Sequence, residues 1–232
     1  QIQATGRFDT VSTLEIQQTD ESIRLFLKGR CVLEHSPRRP LMEIGYGTPT
    51  ITMSHGNFDI RSGLTRRIPL TICRVETTDG TSAVLTCPVP GGGPTVTMKV
   101  SAPRDDGAGP TTLVASISVT ENPNDEAPGR VFLRLPATRD EGIYGGGEQY
   151  SRFNMRGSRL PLWTGEQGVG RARNLTTWLA NRHSDAGGSW HSTYFPQPTF
   201  VSGSCAFTQP AAISCIAAEP RTASASRLAC AS

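Results

Sequence analysis

The chain has 232 residues, with 23 Lys and Arg against 20 Asp and Glu, a net charge of +3. So small a surplus, with no basic run interleaved with aromatics, leaves no footprint for nucleic acid, and no window of about eighteen apolar residues is available to span a membrane as a helix. Hydrophobic residues make up 36% while glycine reaches 24 and proline 17, a balance that favours short strands joined by many turns.

Alternation of apolar and polar residues runs through the first two-thirds of the chain. Ile23, Leu25 and Leu27 alternate with Arg24, Phe26 and Lys28, the period-two pattern of a strand with one face on a core. Residues 68–75 and 82–87 flank Asp79-Gly80, which predicts a two-residue hairpin turn. Val96, Met98 and Val100 alternate with Thr97 and Lys99, and Leu113, Ala115, Ile117 and Val119 alternate with small or polar residues. Val131, Leu133 and Leu135 repeat the pattern, with Arg130 and Arg134 expected to face solvent. Turn clusters at 36–40, 88–94, 103–110 and 121–129 separate these runs. No amphipathic helix is expected before residue 140, and no fixed-period repeat is evident. Many short strands with frequent turns predict an all-β fold, a β-sandwich. From Ser202 the chain turns rich in Ala, Ser and Cys without sustained alternation, so residues 202–232 read as an irregular, weakly structured tail.

The cysteines at 31, 73, 87, 205, 215 and 230 form no CxxC pair, which removes support for a zinc site. In the plain hairpin register Cys73 faces Thr86 and Cys87 points to the other face, so a Cys73–Cys87 bridge requires a bulge or a longer loop. Two buried thiols are the alternative. His35, His55, His183 and His191 do not fall at metal-ligand spacing, and His183-x-Asp185 with His191 reads as a solvated loop. Asn174-Leu175-Thr176 is a glycosylation sequon that matters only in a secreted chain.

Residues 144–171 pack glycines, polar groups and aromatics with no clean period, the make-up of an irregular loop that meets a ligand. Gly145, Gly146 and Gly147 are expected to adopt positive φ or to allow close backbone packing, and Glu148 to accept backbone N–H groups. No GK[ST] follows the glycines, so the run is not a phosphate loop.

The run Ile143-Tyr-Gly-Gly-Gly-Glu-Gln-Tyr-Ser, then Phe153-Asn-Met-Arg-Gly, then Leu162-Trp-Thr-Gly-Glu-Gln-Gly-Val-Gly-Arg171 closely resembles glycoside hydrolase family 31, most of all its sulfoquinovosidase-type α-glycosidases. Phe195-Pro-Gln-Pro-Thr-Phe-Val201 and Gly56-Asn-Phe-Asp-Ile60 fit the same group, and the resemblance covers residues 20 to 201. It implies that residues 1–201 form an N-terminal sandwich like the galactose-mutarotase supersandwich, and that residues 202–232 are unrelated to the family. In the family a (β/α)8 barrel of about 250 residues or more follows and holds two catalytic aspartates. The match stops at Val201, where a frame change, an unspliced intron or a variable tail would each account for the ending. On this resemblance the chain is a truncated α-glycosidase without catalytic residues, metal or cofactor. No catalytic role falls to Asp140, Glu141, Glu148, Glu166 or Asp185, the carboxylates in and around the motif.

In the intact family a sandwich loop leans over the barrel mouth, and Trp163-Thr-Gly-Glu166 matches its Trp-x-x-acid position. The implied substrate-binding residues are Trp163, Glu166, Gln167 and Arg171. Glu166 is one methylene longer than the Asp common in the family. Trp163 reads as an aromatic that pins the loop rather than one that stacks on sugar. Arg171 reads equally as a ligand donor or as a partner of Glu166. The implied partners are a carbohydrate or glycoside and a protein covering the face that would meet the barrel, with Leu160, Leu162 and Trp163 as an exposed apolar patch. The alternative is a carbohydrate-binding or structural subunit derived from such an enzyme.

Overall fold

The computed structural model describes residues 14–54, 57–102, 113–120, 126–165, 168, 174–184, 186–202, 206–208, 214–218 and 225–231. In chain order the first strands are β1 (Leu14–Gln18), β2 (Ile23–Leu27), β3 (Arg30–His35), β4 (Met42–Tyr46), β5 (Thr50–Ser54) and β6 (Asn57–Arg61). They are followed by β7 (Arg66–Pro69), β8 (Arg74–Thr78), β9 (Ser82–Pro88), β10 (Thr95–Ser101), β11 (Val114–Thr120) and β12 (Arg130–Pro136). Then come β13 (Ile143–Gly147), β14 (Arg159–Pro161), the helix α1 (Leu175–Ser184), β15 (Pro196–Ser202), β16 (Ala206–Thr208), β17 (Ser214–Ala218) and β18 (Ala225–Ala231). The architecture is an all-β sandwich, as the alternation predicts. Among the described residues no helix is long and apolar enough to cross a membrane.

The chain divides into two units. The first, residues 1–41 and 69–127, holds the three-stranded sheet β1-β2-β3 and the four-stranded sheet β11-β10-β9-β8. Its core is the expected one: Ile23 and Leu25 from β2, Leu85 and Cys87 from β9, and Val96, Met98 and Val100 from β10 are all buried. Each such side chain contributes about 1.5–3 kcal/mol relative to exposure. β11 is the sheet's edge strand: of its expected inward set Leu113, Ile117 and Val119 are half-buried and Ala115 is exposed.

A hairpin forms around Asp79-Gly80 with β8 and β9 as its arms, but its last register pair is Thr78↔Ala83, so residues 79–82 make the reversal in place of a two-residue turn; residues 66–69 belong to β7, in a different sheet. Register runs Arg74↔Thr86 and Val75↔Leu85, then shifts to Thr77↔Val84, so Glu76 is an extra residue on β8. That bulge brings Cys73 opposite Cys87, and the two form a disulfide. In the same unit His35 is buried and its Nδ1 accepts the Leu41 N–H at 3.3 Å.

The second unit, residues 42–68 and 128–232, holds the six-stranded sheet β14-β17-β18-β12-β4-β7, the three-stranded sheet β13-β15-β16 and the ribbon β5-β6. On β12 the arginines do not face solvent as expected. Arg130 is buried and donates to the Ser62 carbonyl, and Arg134 Nη2 donates to Glu43 Oε1 at 3.3 Å. Arg67 on β7 pairs with the other Glu43 oxygen at 2.5 Å while its guanidinium lies 3.9 Å from the Phe132 ring centroid. Polar side chains drawn out of water need partners, and Glu43 serves two arginines at once. After Ser202 the chain adds β16, β17 and β18; β18 pairs with β12 from Arg130↔Ala231 to Pro136↔Ala225. Their sequences carry no marked alternation, because an open strand pairs through its backbone groups whatever the side chains are.

Candidate substrate-loop site

The site grows from β13. Its register with β15 is Tyr144↔Val201 and Gly145↔Phe200, then slips so that Gly147 faces Pro196. Gly145 and Gly147 have φ of 113° and 89°, and a Cβ would strike backbone in or beside β15, at Thr199 O for Gly145 and at Phe195 O, just before the strand, for Gly147. Glycine is therefore required there for close approach as well as for its dihedral. The Glu148 N–H donates to Phe195 O at 3.0 Å, closing this join.

Glu148 itself is exposed, and the acceptor role expected of its side chain is taken by Asn154. Asn154 Oδ1 receives the Ile143 N–H at 3.1 Å and the Arg156 N–H at 3.0 Å. Met155 N–H donates to Ile143 O at 2.7 Å, and Met155 is buried. Glu141 is buried as a turn acceptor, with Oε2 taking the Thr138 N–H at 2.8 Å. The Tyr144 and Phe153 rings pack with centroids 4.7 Å apart. The glycine-rich stretch is thus folded back on itself by side-chain acceptors, a tertiary arrangement no period could announce.

β14 then leads to the motif. Leu160 and Leu162 are buried, not exposed as expected; Leu160 packs against β13, where a Cβ on Gly146 would meet its side chain. Trp163 is half-buried. Its ring meets that of His191 edge-on, with centroids 6.0 Å apart. The Gly165 N–H donates to Thr193 O at 3.0 Å. His191 in turn meets Trp190 at 5.4 Å, and the Arg152 guanidinium lies 4.5 Å from the Trp190 centroid. Burial lowers the His191 pKa, so the ring is neutral near pH 7. The solvated-loop expectation for His191 is therefore corrected: it is an aromatic contact of Trp163.

Of the four expected substrate-binding residues the structure describes Trp163; Glu166, Gln167 and Arg171 lie outside the described residues. Arg152, Trp190, His191 and Thr193, which gather around Trp163 and Gly165, were not singled out for this role from the sequence. The one signal available was the adjacent Trp190-His191 pair. Among the described residues no group of three His, Cys, Asp or Glu could hold a metal ion.

α1 follows, capped by Asn174, whose Oδ1 accepts the Thr177 N–H at 2.9 Å. Leu175, Trp178 and Leu179, at helical spacing, are 70%, 56% and 42% exposed, while Thr177 is buried. The helix turns its apolar stripe outward, the reverse of an ordinary surface helix. Leu160 and Leu162 thus offer no exposed apolar patch; among the described residues exposed apolar side chains occur on α1 and also at Met53, Phe153, Tyr194 and Phe195.

This fold is similar to that of part of a solved glycoside hydrolase family 31 enzyme. A family 31 sulfoquinovosidase from E. rectale, solved in complex with an aza-sugar inhibitor, superposes with a TM-score of 0.73 at 29% identity, over 93% of this chain and 30% of that one. No family model matches the sequence. The sulfoquinovosidase of Escherichia coli K12 is 39% identical over 190 residues, 81% of this chain and 26% of the enzyme. That of Agrobacterium fabrum is 34% identical over 190 residues, 82% of this chain and again 26% of the enzyme. The chain is thus homologous to family 31 sulfoquinovosidases and spans about a quarter of the length of those curated relatives.

Proposed function

We propose that residues 1–201 are the N-terminal sandwich of a family 31 α-glycosidase for sulfoquinovosides, and that residues 202–232 are a tail of unrelated sequence. The role of this segment is to present substrate contacts from Trp163, Glu166, Gln167 and Arg171. Bond cleavage belongs to the larger family portion that these residues do not match. The observation that carries the reading is the homology to sulfoquinovosidases, joined to the Trp163-Thr-Gly-Glu166 motif in the sequence. A retaining glycosidase needs two carboxylates roughly 5 Å apart across the scissile bond. Glu141 is committed to a turn and Glu148 stands exposed, so neither supports a pair. In the test, purified chain is titrated with methyl α-sulfoquinovoside and followed by tryptophan fluorescence. A saturable change is expected, without turnover of an aryl α-glycoside. Turnover above the buffer rate that disappears in Glu166→Ala would sink the non-catalytic reading.

A second reading, a carbohydrate-binding or structural subunit, is favoured by the outward apolar stripe of α1. It expects the chain from its native source to migrate in a large assembly, and Trp178→Ser to release it. A monomer in native extracts counts against it.

A further inference from the structure

The turn carrying Trp190 and His191 is built more firmly than a surface connection requires. Ser189 N–H donates to Ser192 Oγ at 2.8 Å, and Ser192 N–H returns to Ser189 O at 3.1 Å, closing the turn. Thr193, only 1% exposed, anchors its end, and its carbonyl receives the Gly165 N–H. Arg152 covers Trp190 and is itself fixed by an Nη1 bond to Ser158 Oγ at 2.7 Å. His191 stands between the two indoles, with interplanar angles of 88° to Trp190 and 76° to Trp163. Edge-to-face contacts of this kind set ring direction as well as spacing, because the electropositive edge of one ring seeks the face of the other. Its half-buried, neutral ring needs no counter-ion to occupy this place.

We infer that His191 is a positioning residue for the substrate loop. Its ring fixes Trp163, and the Gly165–Thr193 bond holds the backbone two residues further on. The inference rests on the reading of residues 163–171 as the sugar-facing loop. His191 touches no ligand in this scheme. It acts by removing freedom from Trp163 and Gly165, so that the entropy of ordering those two residues is met on folding and not on binding. A plain packing role would predict a different pattern, a loss of protection spread through the surrounding strands.

The experiment uses the full chain with His191→Ala and His191→Phe, read by amide exchange and by methyl α-sulfoquinovoside titration. His191→Ala is expected to speed exchange at Gly165 by about tenfold while Ile143 and Leu160 stay protected, since loops open locally without global unfolding. His191→Phe, which keeps a ring at the contact, is expected to restore Gly165 protection and to hold sugar affinity within about twofold of the parent, against a loss of about tenfold for the alanine variant. Unchanged Gly165 exchange in His191→Ala overturns the inference. So does a rise shared equally by Ile143 and Leu160, or a phenylalanine variant no better than alanine. If the parent chain binds no sugar, the sugar-facing reading fails, while the exchange pattern still decides the positioning role.

Discussion

Two bends in this chain depend on glycine for different physical reasons. At the β8–β9 hairpin Gly80 has φ 81° and a Cβ there would meet nothing within 4 Å. At β13 Gly147 has nearly the same φ, 89°, but a Cβ would be driven into the Phe195 carbonyl of the paired strand. The hairpin glycine solves a local problem of chain reversal. The β13 glycine solves a tertiary one, the approach of two backbones some fifty residues apart in sequence. The hairpin can therefore be read from its own residues, whereas the site segment has meaning only once β15 is in place.

The widest separation is expected from alanine at the two positions. Gly147→Ala should cost about 3–5 kcal/mol, combining left-handed backbone strain with overpacking, and Gly80→Ala about 1–2 kcal/mol from strain alone. Urea unfolding midpoints measure both, and equal losses would break the contrast. Next in size is the disulfide. Cys73 and Cys87 are 14 residues apart, and a loop of that order stabilises by about 3 kcal/mol through the unfolded chain, so Cys73→Ser should lower unfolding free energy by that amount. The effect should vanish when parent and variant are compared under reducing conditions.

Asn154→Ala sharpens the other side. It removes the acceptor of two backbone N–H groups at the base of the site segment, for a loss of about 1–2 kcal/mol. Exchange at the Ile143 and Arg156 amides should rise first. The smallest effect concerns Asp79, whose carboxylate accepts Thr81 and Ser82 and is held well below the usual carboxylate range by those bonds. A depressed folded pKa contributes stability that is complete above the unfolded pKa of about 4 and is lost as pH falls below it. Unfolding of the parent should therefore gain an acid-sensitive component below about pH 4 that Asp79→Asn lacks. Identical acid profiles for the two would count against the turn as an electrostatic feature.

Much of the first unit was legible. Alternation at Ile23–Leu27 and Val96–Val100 gave strands and their buried faces, because a strand with one face on a core repeats every two residues. The Cys73–Cys87 bridge was legible as a condition: it required a bulge, and Glu76 is that bulge. What misled was burial on a second face. Arg130 and Arg134 looked like solvent residues by pattern, yet they are held by Ser62 and Glu43, partners 68 and 91 residues away. α1 was missed for a related reason. Its apolar residues Leu175, Trp178 and Leu179 are exposed and its buried residue is Thr177, so it lacks the apolar stripe toward the core by which helices are recognised.

The site divides along the same line. The sequence by itself determined the class of the protein, since the glycine-rich and Trp-x-x-acid runs are long and specific enough to mark family 31. It also determined the hairpin and the strand-rich architecture, which follow from turn chemistry and period. Only the tertiary structure decided that Leu160 and Leu162 are interior, that Asn154 rather than Glu148 ties the segment together, and that His191 meets Trp163. Those outcomes depend on which distant segment arrives at a given face, and contacts of that kind leave no periodic trace in the residues that make them.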